Sequence, residues 1–151
     1  MTDKIFNIEN VSLDEIKVTQ ASLENELISN DSLDIKSLEI SYGFDVGMNI
    51  DHNLVKMTFW CKISTPLNKE DSKASINGDF NIDFFYKVPG LEEVTNRSGG
   101  QAFIQSDVLV SLANITYSTA RGIIYNRSLG TLLDKFILPI LPTQKLHKFF
   151  L

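Results

Sequence analysis

The residues that usually carry chemistry at a metal or a nucleophile are scarce in this sequence. It holds one cysteine, Cys61, and two histidines, His52 and His147. No intrachain disulfide can form, and a zinc site built from several Cys or His ligands at short spacing has too few residues to draw on. The lone cysteine fits a reducing compartment, so a cytoplasmic location is expected. Basic residues are also in deficit, 14 against 19 acidic, for a net charge of −5 and a pI near 5.0. That balance argues against a binder of phosphate backbones, which needs a basic face, so no nucleic-acid partner is expected. No apolar run reaches the roughly 20 residues that span a bilayer. Met1-Thr2-Asp3-Lys4 lacks the basic and apolar regions of a signal peptide, and no stable membrane insertion is expected.

What remains is an ordinary globular composition: 151 residues, 43% hydrophobic and 22% charged. A single domain over residues 1–151 is expected, long enough to bury about 68–70% of its unfolded surface without a disulfide or metal. The clearest signal is alternation with a period of two. Leu38, Ile40, Tyr42, Phe44, Val46, Met48 and Ile50 fall on one side, with Glu39, Ser41, Asp45 and Asn49 on the other. Successive strand side chains point to opposite faces, so this is a half-buried strand. Asp51-His52-Asn53 predicts a short hairpin loop. The next strand runs from Leu54 to Ile63, and a third, with Ile76, Phe80, Ile82, Phe84 and Tyr86 inward, from Ala74 to Val88.

The second half changes character. Leu91 to Gly100 reads as a polar loop, and Gln101 to Ser128 as a long helix stopped by Gly130. Val108 to Leu112 also alternates as a strand would; the length without an interior turn signal favours helix. Each proline of Pro139-Ile140-Leu141-Pro142 disfavours helix in the residue before it, so 136–142 is extended. Thr143 to Leu151 predicts a short helix with Leu146, Phe149 and Phe150 on one side. Near the start, Phe6–Val11 reads as a strand that continues through Asp14–Val18 after a kink, and between Ala21 and Lys36 the pattern dissolves.

No catalytic constellation emerges. Cys61 lies on the apolar face of a strand, where a free cysteine is ordinarily packed. Arg97-Ser98-Gly99-Gly100 lacks the lysine and spacing of a phosphate loop. Asp79 and Asp83 share the polar strand face, as solvated carboxylates do. Neither a catalytic residue, a metal nor a cofactor is therefore expected. Apolar and aromatic surface is abundant instead, with ten Phe, four Tyr and one Trp. One helix covers only part of one sheet face, and Trp60 and Phe85 fall on the opposite face. Part of this surface is expected to be buried against another subunit or offered to a partner, the alternative being one slightly large core.

Taken together, these segments resemble the SecB family of export chaperones and its divergent SecB-like members. Phe6-Asn7-Ile8-Glu9-Asn10-Val11 through Val18 is similar to the family's first strand, and Leu38–Ile50 with Leu54–Ile63 to the next two. Ala74–Val88 followed by Pro89-Gly90-Leu91-Glu92 is similar to its fourth strand and turn. Asn114-Ile115-Thr116-Tyr117-Ser118-Thr119-Ala120-Arg121 resembles the N-I-L-F-P-Y-A-R of its long helix, and Leu129-Gly130-Thr131 and Ile137-Leu138-Pro139-Ile140 its later R-G-T-F and L-P-P-V pieces.

The resemblance implies an α+β fold: a four-stranded antiparallel sheet covered by one long helix, with a short C-terminal helix. It implies an ATP-independent holdase, not an enzyme, that binds unfolded precursor proteins in hydrophobic grooves, and a homo-oligomer, a tetramer built as a dimer of dimers. Leu38, Ile40, Tyr42, Ile76 and Tyr117 are the expected groove residues, and Glu15 a contact for the SecA motor. Thr19 and Ser75 stand where the family has acidic SecA contacts, which points away from strong coupling to SecA. A chaperone dedicated to a toxin–antitoxin pair or another single client stays open beside the export role. So does a reading of a different class, a small ligand-binding domain or enzyme.

Overall fold

The computed structural model describes residues 6–27, 38–65, 74–131 and 133–151. The alternating runs form the strands β1 (Ser12–Leu27), β2 (Glu39–Asn49), β3 (Leu54–Ser64) and β4 (Ala74–Lys87), joined in one antiparallel sheet of order β1-β4-β3-β2. A small hairpin follows, β5 (Thr95–Ser98) with β6 (Gln101–Ile104), then the helix α1 (Ser106–Ser128) and the short helix α2 (Thr143–His147). This is the architecture implied by the resemblance.

Register fixes the two faces. Val55, Met57, Phe59, Cys61 and Ile63 of β3 face the same side as Ile76, Phe80, Ile82, Phe84 and Tyr86 of β4, and all are buried. These two central strands carry the core because α1 lies over them, presenting Leu112, Ala113, Thr116, Tyr117, Ala120 and Ile124. A helix with side chains is about 10–12 Å wide and strands are spaced about 4.8 Å, so one helix roofs roughly two strands. The outer strands are left partly bare. One polar pair ties helix to sheet: the Tyr86 and Thr116 hydroxyls are bonded at 2.7 Å, both side chains fully buried. Among the described residues no buried side-chain polar atom lacks a partner.

Several local expectations are corrected. Phe6–Val11 is not a strand: Ile8–Asn10 form a 3₁₀ turn, with the Asn7 side chain accepting from the Glu9 N–H. β1 begins at Ser12 and runs on through Ala21–Leu27, where the sequence pattern had dissolved, because β4 supplies a continuous pairing partner. The loop expected over Leu91–Gly100 is a 3₁₀ turn, Leu91–Val94, and the first hairpin strand. Gly99 and Gly100, with φ of +58° and +80°, make the hairpin turn, so Gln101–Ile104 is strand and α1 starts only at Ser106.

Trp60 and Phe85 lie on the outer face, as expected, and find cover within the chain. A Cβ built on Gly43 would fall 2.6 Å from the Trp60 ring, so the indole lies flat where Gly43 leaves room. The Lys17 ammonium sits 5.4 Å from the centre of the Phe85 ring. Both rings remain partly exposed.

Candidate functional site

The inner face of β2 projects past the edge of α1 and meets the chain where it returns after the helix. Alternation places Leu38, Ile40, Tyr42, Phe44 and Met48 on this face, all half-buried against the core. Tyr42 pairs across the sheet with Cys61, and Phe44 with Phe59. Around them the rings form a connected cluster. Phe59 lies 6.2 Å from Tyr42, 5.5 Å from Phe44 and 5.6 Å from Tyr117, centre to centre. Tyr42 and Tyr117 are 5.9 Å apart. Aromatic pairs at 4.5–7 Å with tilted or edge-on planes each contribute about 0.5–1.5 kcal/mol beyond area burial.

The cluster is graded in depth. Phe59 is fully buried and Tyr117 nearly so, giving a floor, whereas Tyr42 and Phe44 stand half-buried as one wall. Beside this cluster, α1 clamps the segment 136–142 with two side chains. The Tyr117 hydroxyl donates to the Pro139 carbonyl, and Arg121 Nε donates to the Leu138 carbonyl at 2.6 Å. Ile140, between the prolines, is 79% exposed. The result is an aromatic trough along the β2 edge, against which Phe149 and Phe150 also pack. Such a surface suits extended apolar chain, which brings both side chains and unpaired amides.

The expected groove residues are only partly brought together. Tyr42 and Tyr117 touch at the centre of the trough, and Leu38 and Ile40 continue the same strand face. Ile76 is fully buried in the core on β4 and presents no surface in this conformation. Sequence reasoning did not assign Phe44, Phe59, Phe149 or Phe150 to the site. Phe44 carried a usable signal, since it follows Tyr42 on the same face; the other three enter through tertiary contacts.

Burial holds the Cys61 thiol and the Tyr117 phenol neutral. It raises the Cys61 thiol to about 12, with the Asp79 charge adding to the effect, so the thiolate needed of a nucleophile is suppressed at neutral pH. Burial likewise raises Tyr117 well above the ordinary phenol range; Tyr42 and Cys61 add to the shift and Arg121 partly opposes it. Among the described residues no group of three or more His, Cys, Asp or Glu is placed to hold a metal, and no helix is long and apolar enough to cross a membrane. A cleft of about 580 Å³ lies elsewhere, between Phe6, Asn7, Asn10 and Val11 and the turn at Pro89, Gly90, Glu93 and Val94. Side-chain amides and one carboxylate supply its polar side chains, with no base–nucleophile pair among them.

Glu15 lies on the outer, solvent face of β1, its carboxylate 3.4 Å from Lys17 Nζ. Thr19 turns its hydroxyl to the Asn81 carbonyl at 3.2 Å, and the side chain of Ser75 lies outside the described residues.

No family model and no curated protein matches the chain. Solved structures do. The Mycobacterium tuberculosis SecB-like chaperone Rv1957, in complex with a ChAD peptide from the Rv1956 HigA1 antitoxin, superposes with a TM-score of 0.60 at 11% identity, over 89% of this chain and 91% of that one. A protein of unknown function from Streptococcus agalactiae covers 88% of this chain and 98% of its own at 12% identity, with a TM-score of 0.41. At such identity the first likeness speaks for the fold, and the fold of this chain is SecB-like.

Proposed function

We propose that the chain is an ATP-independent holdase, a single-domain, non-enzymatic chaperone that holds unfolded polypeptide in the aromatic trough lined by Tyr42, Phe44 and Tyr117. The observation that carries this reading is the half-open ring cluster at the edge of a SecB-like fold. Binding the unfolded state lowers its free concentration by mass action and so delays aggregation without ATP or any cofactor. Leu38, Ile40, Tyr42 and Tyr117 line the groove, and Ile76 belongs to the core of the same sheet. The proposed setting is the cytoplasm and the proposed assembly a tetramer, a dimer of dimers. The bare inner face of β1, where Leu13 and Ile16 are 38% and 39% exposed, supports such an assembly because obligate interfaces bury apolar surface of this kind.

Two client classes fit the trough: unfolded export precursors, and a dedicated client such as an antitoxin. The antitoxin peptide bound by the SecB-like structural neighbour favours the second. The weak acidic character around Glu15, neutralised in part by Lys17, disfavours the first route through SecA. The test is light scattering from a denatured client diluted into buffer with and without the protein. Suppression at stoichiometric ratio is expected, and Tyr42→Ser should weaken it while circular dichroism stays native. Unchecked aggregation would refute the holdase, and loss of fold in Tyr42→Ser would assign Tyr42 to the core instead.

A further inference from the structure

The trough leaves the opposite face of the sheet unexplained. There the chain's one tryptophan, Trp60, is partly exposed, with Gly43 of β2 on one side of it and Asn81 of β4 on the other. A Cβ on Gly43 would fall 2.6 to 3.0 Å from three indole atoms, so glycine is what lets the ring lie down on the neighbouring strand. A ring that lies down covers the sheet with one face and turns the other outward. Its surroundings on that face are polar: Thr58 and Lys62 along the strand, and Ser41, Asp45, Asp79 and Asp83 on the diagonals. Asn81 donates its side-chain amide to Gln20 Oε1 at 2.8 Å, which extends a planar polar strip from the indole to β1. Beside Lys62 a depression of about 460 Å³ opens between Gln20, Ser41, Asn77 and Asp79. Ligand sites usually run from about 300 to 1,000 Å³ and are mostly apolar. Among the described residues that line this one, Ile63 alone has an apolar side chain, and it is buried on the inner face.

That combination selects a ligand by exclusion. The centre of a protein interface is apolar and depleted of charge, whereas this ring stands alone among charged groups. A polyanion meets Asp45, Asp79 and Asp83, and a polycation meets Lys62 with Lys56 and Lys17 on the same face. Lys62 stands opposite Asp79 in register, and Asp83 accepts from the Thr58 hydroxyl at 2.6 Å, so the charges around the ring are largely offset. We infer that the outer face holds a saccharide site: a neutral oligosaccharide stacks one sugar ring on Trp60 and runs into the depression beside Lys62. The carbon-bound hydrogens of a pyranose face are weakly positive and meet the negative face of the indole. Each sugar hydroxyl both donates and accepts, so it pairs with carboxylate, amide and ammonium alike. Asp79 and Asn81 supply acceptors, and Gln20 and Lys62 supply donors. The site and the trough lie on opposite faces of the sheet, so this inference stands or falls apart from the holdase reading.

Because Trp60 is the sole tryptophan, its emission reports this site without a second tryptophan in the signal. The probes are cellohexaose, N-acetylated chitohexaose and β-1,4-mannohexaose, each titrated into the full chain and read by tryptophan emission and by calorimetry. Saturable heat with a matching change in emission is expected from at least one of them. Trp60→Ala should weaken that binding by about tenfold or more, and Trp60→Phe by less, since a ring remains. Asn81→Ala alters only an exposed amide pair, so its circular dichroism should stay native while affinity falls severalfold. It carries the test if Trp60→Ala does not fold. Absence of heat with all of these sugars overturns the site, and so does undiminished binding by the folded variants. Hexagalacturonate, a carboxylated counterpart, should bind more weakly than the neutral sugars, and equal or tighter binding overturns the site as assigned.

Discussion

The two edge strands turn apolar faces to the same side of the sheet and meet different fates. Along β1, Leu13 and Ile16 stay over a third exposed, and Val18 and Leu23 are half-buried. Along β2, Tyr42 and Phe44 are packed against Phe59, Tyr117, Phe149 and Phe150. The cause is width. A single helix over β3 and β4 leaves one strand uncovered on each side, and the chain after α1 returns over only one of them. The covered flank holds rings on rings, whose contacts are many and individually weak. The bare flank holds aliphatic side chains beside an unpaired strand edge, a surface that suits a lasting partner and is an aggregation hazard without one.

The sharpest test of that contrast is a pair of truncations. Phe59→Ala, beneath the β2 flank, removes a fully buried ring that meets three others, and should destabilise the fold by about 3–5 kcal/mol in urea unfolding. Ile16→Ala, on the β1 flank, removes side chain that is already 39% exposed and should lower monomer stability by under about 1 kcal/mol. Equal losses would abolish the distinction between the flanks. In the proposed tetramer the ranking reverses for assembly. Leu13→Asp/Ile16→Asp should reduce the mass seen by light scattering, and Tyr42→Ser should not.

The central strands were legible because alternation is a local signal, and it assigned every inward residue of β3 and β4 that the structure buries from Val55 to Ile63 and from Phe80 to Tyr86. The far half of β1 was not, because Ser22, Glu24 and Ala21 carry little strand preference, and pairing with β4 imposes what propensity leaves undecided. Phe6–Val11 failed in the opposite sense: an alternating pattern yielded to the Asn7 side chain, which turns the backbone back on itself. In the site, sequence could say that Tyr42 and Phe44 share a face. It had no means of saying which rings lie opposite, since Phe149 is more than 100 residues away along the chain.

The outer face provides the next contrast, because there both flanks are covered by their own side chains. Gly43→Ala puts a methyl group where the Trp60 indole lies, 2.6 Å from a ring carbon. The indole must swing outward, with an expected loss of about 1–2 kcal/mol and a red shift of Trp60 emission. An unchanged spectrum would mean that the ring does not rest on Gly43. Between the flanks, Tyr86→Phe leaves the buried Thr116 hydroxyl without its 2.7 Å partner and should lower stability by about 1–2 kcal/mol without favouring either edge. Its pH dependence has a definite sign. Burial raises Tyr86 from 10.0 to about 12, partly offset by the Thr116 hydrogen bond, so the folded state keeps the proton that the unfolded state releases. Stability from this group is complete below pH 10 and is lost as pH rises towards 12. Cys61, raised from 9.0 to about 12, acts in the same sense from pH 9 upwards. Tyr86→Phe should therefore flatten the alkaline limb of the stability profile and leave the Cys61 portion in place.

The smallest effect belongs to Glu15, and it decides what the β1 flank offers on its solvent side. Its carboxylate meets Lys17 at 3.4 Å with both side chains more than half exposed, and the same ammonium lies over Phe85. An exposed pair of this kind contributes about 0–1 kcal/mol and is screened by salt. In Glu15→Gln the Lys17 side chain keeps its place over the ring, so a stability change within about 0.5 kcal/mol is expected, vanishing at high salt. The consequence for partners is larger than for folding. An acidic patch steers a cationic partner by raising the association rate. Here Lys17 offsets the one matching carboxylate, while Thr19 spends its hydroxyl on the Asn81 carbonyl. Pull-down at low salt should therefore recover little SecA from parent or Glu15→Gln protein alike. Robust recovery by the parent that the substitution abolishes would show that a single carboxylate suffices for docking, and would make the outer face of β1 a working surface.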